Sequence, residues 1–179
     1  MKKIVTGPVR LSFPHVIDPE VKEDGSKRYS AKILIPKDDT KTLNIIQAAI
    51  KEEREDYCDK HGANALPPKP KVAFYDGDTL KDDGSERLPE EKGHWTLQVG
   101  TKHKPQLLGP DNQPLLDENE IYAGCWVRVS ANACGYQVPG NKGITFYLNA
   151  VKKVRDDTPF SGGGNAASDF ADDEDDLLS

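Results

Sequence analysis

The clearest strand pattern in the chain lies in residues 125–151, CWVRVSANACGYQVPGNKGITFYLNAV. In 125–133, small and apolar residues alternate with bulky or polar ones, and the same two-residue period returns in 144–151. Side chains two residues apart share one face of a β-strand, so each segment has an apolar face and a polar face. The Gly- and Pro-rich stretch 135–143 is typical of a turn. Residues 125–151 therefore predict a β-hairpin.

The rest of the chain adds shorter strands and one helix. The strand pattern from residue 3 onwards places Val5 and Phe13 on the apolar face. The triplet Asp38-Asp39-Thr40 offers an N-cap, and from there to about Cys58 the apolar period becomes three to four residues, which predicts an amphipathic helix that His61-Gly62 ends. The further strands are expected at 3–13, 28–35, 71–75 and 94–101.

These elements predict a mainly β fold with five to six strands, one amphipathic helix and long loops. An antiparallel Greek-key barrel resembling the OB-fold accommodates this order, and a β-sandwich also fits the strand pattern alone. A chain of 179 residues is long enough for one such domain.

Charge divides the chain into two parts. The 24 Lys and Arg residues all lie at or before Arg155, together with 22 of the 30 acidic residues, so residues 1–155 carry a net charge of +2. The eight remaining acids give residues 156–179 a net charge of −8. We expect residues 1–155 to form the folded domain and residues 156–179 to form a disordered Gly-rich linker and acidic tail.

Several classes of protein are disfavoured by the sequence. No apolar run is long enough to span a bilayer, and no apolar segment follows the two N-terminal lysines as it would in a signal peptide. The three cysteines do not form a disulfide framework, and Cys58 and His61 lack a second ligand pair for zinc. We therefore expect a cytoplasmic protein without membrane association, metal or cofactor.

Cationic and aromatic side chains occur together on the faces that point away from the predicted core. Single-stranded nucleic acid requires this combination, because cations neutralise phosphates and each base can stack on a flat ring. Loops of a barrel add further candidates, since they often close over the strands. The candidate DNA-binding residues are Arg10, Arg28, Lys32, Lys71, Tyr75, Lys102, His103, Lys104, Trp126, Arg128, Tyr136, Lys142 and Tyr147.

Two other functions remain open at this point. Asp76 and Asp78 could bind Mg²⁺ in a nuclease, although DGD is also an ordinary turn sequence and no catalytic constellation accompanies it. A protein-binding adaptor without DNA affinity would act through the acidic tail and the proline-rich loop at residues 67–70. We expect a protein that is not an enzyme, and the sequence leaves open whether it is a monomer or a dimer.

Five segments stand out in order along the chain: GPVRLSFPHV (7–16), RYSAKILIPKDD (28–39), DGD (76–78), IYAGCWVRV (121–129) and KGITFYLNAVKKV (142–154). Together they resemble a family of single-stranded-DNA-binding proteins from tailed phages and prophages, long a family of unknown function. The resemblance implies an OB-fold, an acidic C-terminal tail and sequence-independent coating of single-stranded DNA during phage replication, recombination or repair, in the cytoplasm of the bacterial host.

The tail is the candidate site for protein partners. We expect it to compete with DNA for the cationic surface and to recruit replication or recombination proteins, because its charge opposes that of the domain. Phe170 precedes most of the acids and Leu177-Leu178-Ser179 ends the sequence, which differs from better-known phage and bacterial tails with an aromatic residue at or near the end. The tail candidates are Asp169, Phe170, Asp172, Asp173, Glu174, Asp175, Asp176, Leu177 and Leu178.

Overall fold

The computed structural model describes residues 1–160. Eight strands and one α-helix make up the domain, together with short 3-10 helices at Pro89–Glu91 and Glu118–Glu120. In chain order the elements are β1 (Lys2–Val5), β2 (Val9–Val21), β3 (Lys27–Pro36), α1 (Thr40–His61), β4 (Phe74–Asp76), β5 (His94–Thr101), β6 (Gln106–Leu108), β7 (Trp126–Val138) and β8 (Asn141–Arg155).

Five of the strands close into a barrel. They follow the circuit β7-β2-β3-β5-β8 and return from β8 to β7. Every neighbouring pair in this circuit is antiparallel except β5 and β8, which meet in parallel where Gly100 pairs with Tyr147. A closed five-stranded barrel with Greek-key connections is the architecture of an OB-fold. The predicted mainly β fold with one helix is confirmed.

The barrel circuit has five strands, within the expected five to six, and the domain has eight in total. The two additional strands arise because the predicted first strand divides into β1 and β2, which pair with β7 at different positions, and because β6 was not expected. Val5 is 44% exposed and Phe13 is 52% exposed, so their expected inward orientation is wrong. A break in the β2–β3 register between Ser12 and His15 accounts for Phe13, because an irregular residue count reverses the alternation.

The final hairpin is longer and its turn is tighter than predicted. Val138 pairs with Asn141, so two residues form the turn, and the stretch 135–143 that resembled a loop mostly belongs to the strands. The glycines of this stretch allow other parts of the chain to pack closely on the hairpin backbone. A Cβ atom at Gly135 would lie 2.5 Å from the ring of Tyr57, and one at Gly143 would lie 2.3 Å from the carbonyl oxygen of Lys71.

Helix α1 packs against β1 and β7 and begins where the sequence predicts. The carboxylate of Asp39 accepts a hydrogen bond from the backbone N–H of Thr42, which satisfies one of the free donors of the first turn. Ile46 and Ala49 face the core. Gly62, at φ 118°, follows the helix in a conformation that favours glycine. Within residues 1–160, no helix combines the length and apolar character that crossing a membrane requires.

Candidate nucleic-acid interface

An open cleft of about 450 Å³ lies between the β3–β5 side of the barrel and the β7–β8 hairpin. The segment that precedes β4 forms one of its walls. Four predicted DNA-binding residues meet there, although they are far apart in the sequence. The cleft is lined by Arg28, Lys71, Val72, Ala73, Gln98, Tyr136, Val138, Ile144, Thr145, Phe146 and Tyr147.

A glycine determines how Arg28 lies in the cleft. A Cβ atom at Gly100 would be 2.6 Å from the guanidinium Nη2 of Arg28, so the guanidinium group lies directly over the bare backbone of β5. Gly100 pairs with Tyr147, which is 43% exposed. A planar cation and an accessible ring are therefore held side by side on the barrel surface.

The charge of the cleft is uniformly positive. None of the residues that line it is acidic. Across the described residues 1–160, neither Arg28 nor Lys71 belongs to an ion pair, whereas Lys32, Lys37 and Lys104 all do. A phosphate that enters the cleft thus meets two cations whose charge no carboxylate has neutralised.

Lys32 and Tyr75 belong to a second group, the Glu91 cluster, formed by Lys32, Tyr75, Arg87 and Glu91. The Glu91 carboxylate, 2% exposed, accepts hydrogen bonds from Lys32 Nζ at 3.0 Å and from the Tyr75 hydroxyl at 2.7 Å. Arg87 covers the Tyr75 ring at 3.8 Å. These contacts engage the Lys32 ammonium and one face of the ring inside the protein.

The pKa values of this pair follow from the same contacts. Burial opposes the charged form of both groups, but the hydrogen bonds to Tyr75 and to each other outweigh it. The pKa of Lys32 is consequently raised and that of Glu91 is lowered. Both groups are charged at neutral pH.

Arg10 and Trp126 belong to a third group, the Trp126 cluster, formed by Arg10, Trp126, Arg155, Asp157 and Phe160. Trp126 Nε1 donates to the Asp157 carboxylate at 2.7 Å, and this hydrogen bond is the first cause of the lowered pKa of Asp157. The guanidinium of Arg155 lies 4.4 Å from the centre of the Trp126 ring, and that of Arg10 lies 4.4 Å from the centre of the Phe160 ring.

The start of the expected linker therefore packs on the domain. The sequence predicts a disordered linker from residue 156 onwards, but the backbone N–H of Phe160 donates to the carbonyl of Ala123 and Arg10 donates to the carbonyl of Thr158. Gly124 permits this approach, because a Cβ atom there would lie 2.6 Å from the Thr158 carbonyl oxygen. The composition of the segment concealed these contacts.

The other predicted DNA-binding residues lie outside these three groups. Lys102 and His103 are exposed after β5, and Lys104 pairs with Glu118 at 2.7 Å. Arg128 donates to the Thr6 carbonyl at 2.9 Å, and Lys142 lies beside the tight turn of the hairpin. The tail candidates from Asp169 to Leu178 lie outside the described residues.

The carboxylates of Asp76 and Asp78, the candidate Mg²⁺ ligands, both form ion pairs with a lysine. Lys37 Nζ lies 2.6 Å from Asp76 Oδ1 and also contacts Asp78, and the hydrogen bonds to this ammonium lower the pKa of both carboxyl groups. Gly77 between them packs so closely on the backbone that a Cβ atom would lie 2.0 Å from the Glu91 carbonyl oxygen. Nowhere in residues 1–160 do three His, Cys, Asp or Glu side chains group as a metal would require. The DGD motif thus has a structural explanation.

Sequence reasoning missed three residues of these surfaces. Gln98 lines the cleft and pairs with Lys32 across β3 and β5, but a single glutamine on a strand gives no signal. Arg87 lies in a loop whose position over Tyr75 depends on tertiary contacts. Arg155 follows the predicted end of the last strand, and recognising that β8 continues to this residue would have placed it opposite Trp126.

The barrel and its cleft define a class of protein. OB-folds bind oligonucleotides on the surface of their second and third barrel strands and on adjacent loops. In this chain those strands are β3 and β5, and the cleft lies on them. The fold and the site together are those of an OB-fold nucleic-acid-binding protein.

Comparison with known proteins identifies the family. A family model described as "Enterobacter phage Enc34, ssDNA-binding protein" matches residues 2–178, so the chain belongs to this family of phage single-stranded-DNA-binding proteins. Protein p50 of Acyrthosiphon pisum secondary endosymbiont phage 1 is 32% identical over 178 residues, which cover 96% of this chain and 93% of p50.

Solved structures agree with this assignment. The single-stranded DNA-binding protein from bacteriophage Enc34, in complex with single-stranded DNA, has a TM-score of 0.75 and 31% identity, and the match covers 89% of each chain. Gp2.5, a single-stranded DNA-binding protein of bacteriophage T7, has a TM-score of 0.65 at 13% identity, covering 92% of this chain and 98% of gp2.5. The similarity to gp2.5 concerns the fold alone.

Proposed function

We propose that the protein binds single-stranded DNA without sequence preference and that the cleft is its primary DNA-binding site. The observation that carries this proposal is the composition of the cleft: two unpaired cations, Arg28 and Lys71, beside two tyrosines, Tyr136 and Tyr147, with no acidic residue in its lining. Phosphates bind the cations and bases stack on the rings. Neither interaction reads a base edge, so the binding tolerates any sequence.

We include four further predicted residues in the proposed DNA-binding surface. Lys102, His103 and Lys142 are exposed, and Arg128 keeps part of its guanidinium free for a phosphate. The protein acts in phage DNA replication, recombination or repair in the cytoplasm of the host, as a coat on single strands and not as an enzyme. Phosphate neutralisation and base stacking, the two interactions proposed for the cleft, need no cofactor.

Titration with unlabelled oligo-dT tests the proposal. Binding followed by intrinsic Trp and Tyr fluorescence is expected to weaken as salt rises, with a slope in log K against log salt of about −0.7 for each phosphate neutralised. Duplex DNA of the same length is the control and should bind more weakly. No binding to oligo-dT at low salt, or a preference for the duplex, would contradict the proposal.

We further propose that the acidic tail competes with DNA and recruits protein partners. The contact between Asp157 and Trp126 supports this, because a carboxylate at the start of the tail already engages a predicted DNA-binding side chain. Six acids follow between Asp169 and Asp176. A short tether gives them a millimolar-scale effective concentration near the domain.

Removing residues 161–179 is expected to tighten oligo-dT binding about three- to tenfold at low salt and to change it little at high salt, where charge is screened. The truncation keeps residues 156–160 and their contacts with the Trp126 cluster. A full-length variant in which the six acids become Asn or Gln is the matched control and should behave like the truncation. Equal affinity of all three proteins at low salt would show that the tail does not compete.

A further inference from the structure

Phe13 combines three unusual properties. Its backbone has φ 46°, a conformation that is a genuine outlier for a bulky residue. Its side chain is 52% exposed although it lies within β2. It also lies at the register break between Ser12 and His15. A single exposed apolar residue needs no explanation, but backbone strain that holds a ring in solvent suggests a functional constraint.

The ring lies beside a fixed cation. Lys32 Nζ is 5.4 Å from the centre of the Phe13 ring and 5.7 Å from the centre of the Tyr75 ring, so the two ring centres are at most about 11 Å apart. Arg87 covers Tyr75, whereas Phe13 is largely open to solvent. Glu91 accepts one N–H of the Lys32 ammonium and holds it in place. A second donor of the ammonium faces Tyr75, and the third is left for a ligand.

This arrangement adjoins the cleft. Arg28 and Lys32 point to the same outer face of β3 and are four residues apart, which corresponds to about 13 Å along a strand. Gln98, a residue of the cleft lining, pairs directly with Lys32. A DNA strand that leaves the cleft and runs along β3 therefore reaches Lys32 and Phe13 within a few nucleotides.

We propose that Phe13 and Lys32 form a second nucleotide subsite, in which a base stacks on the Phe13 ring and the adjacent phosphate binds the Lys32 ammonium. The inference rests on the proposed binding of single-stranded DNA and adds a specific position to it. The strained backbone at Phe13 keeps the ring available in the absence of DNA, so little ordering is needed when a base arrives.

Replacement of Phe13 by glycine removes the ring but still allows the positive φ of the backbone, so it tests the role of the ring alone. Phe13→Gly is expected to weaken binding of a 16-nucleotide oligo-dT about tenfold and to leave a tetranucleotide, which occupies the cleft alone, unaffected. The midpoint of thermal unfolding should not fall, because glycine accepts positive φ without strain. Asn112→Gly is the matched control: Asn112 also has positive φ (65°) but carries no ring, and its variant should bind both oligonucleotides normally.

Further variants at this position test stacking directly. Phe13→Tyr should retain wild-type affinity and Phe13→Leu should not, although both keep an apolar contact. Phe13→Trp adds a tryptophan at this position. Its fluorescence, measured as the difference from the wild-type signal, should be quenched when the 16-mer binds. If Phe13→Gly binds the 16-mer with wild-type affinity while Tyr147→Ala binds it more weakly, the subsite is overturned and the proposed function stands. Absence of binding by the wild-type protein overturns both.

Discussion

The double variant Arg28→Ala/Tyr147→Ala is expected to bind oligo-dT about 100-fold more weakly than the wild-type protein at low salt. The substitutions remove an unpaired cation and an accessible ring that β5 and β8 hold together at the Gly100–Tyr147 pair. Loss of one stacked base and one phosphate contact accounts for the factor. Losing the cation should also make the salt slope shallower by about 0.7.

Conservative variants distinguish loss of contacts from loss of structure. Arg28→Lys/Tyr147→Phe keeps one charge and one ring and should retain most of the affinity. Lys60→Ala removes an exposed cation from α1, away from the cleft, and should leave binding nearly unchanged. Both cleft residues point outward, so the unfolding free energy should change by about 0.5 kcal/mol or less. Wild-type affinity of the double alanine variant would exclude the cleft as the main site.

Glu91→Ala is expected to lower the free energy of unfolding by about 2–3 kcal/mol at neutral pH. The substitution leaves the Lys32 ammonium and the Tyr75 hydroxyl without their shared acceptor. Breaking a fully buried ion pair costs about 3–5 kcal/mol, and the effect here is smaller because the Lys32 side chain retains 22% exposure. Chemical denaturation followed by far-UV circular dichroism measures the change.

The companion substitution Lys32→Met provides the control. If the cost of Glu91→Ala arises from an uncompensated charge, the double variant Glu91→Ala/Lys32→Met should recover part of the lost stability. A double variant whose losses simply add would show that the two groups do not interact. The size of the recovery gives the coupling energy.

Acidification should reveal the same ion pair. The folded-state pKa of Glu91 lies below its ordinary value of 4.5, so the carboxylate stabilises the protein above about pH 4.5 and this contribution is lost as the pH falls through the folded pKa. Stability of Glu91→Gln, which has no charge to lose, should decline less steeply in that range than that of the wild type. Equal pH profiles for the two proteins would contradict this assignment.

Alternation in the sequence found Arg28, Lys71 and Tyr147 of the cleft, whereas Tyr136 was a loop candidate and Gln98 was missed. Tyr147 faces outward because its neighbours Phe146 and Leu148 are buried, and Arg28 lies on the face of β3 opposite the buried residues Ala31, Ile33 and Ile35. Phe13 escaped this reasoning because a break in register reverses the alternation without leaving a mark in composition. The pairing of Lys32 with Glu91 joins residues 59 positions apart, which no local pattern shows.

The sequence by itself determined the mainly β fold, the helix with a cap among residues 38–40, the excess of acid after residue 155 and the cationic and aromatic composition of the outer faces. These properties follow from short-range rules of period, propensity and charge. Tertiary structure alone decided which cations remain unpaired, because a carboxylate neutralises a lysine only when folding brings the two together. Arg28 and Lys71 thus stay outside the ion pairs of residues 1–160, Lys32 and Lys37 each pair with a carboxylate, and Asp157 reaches Trp126.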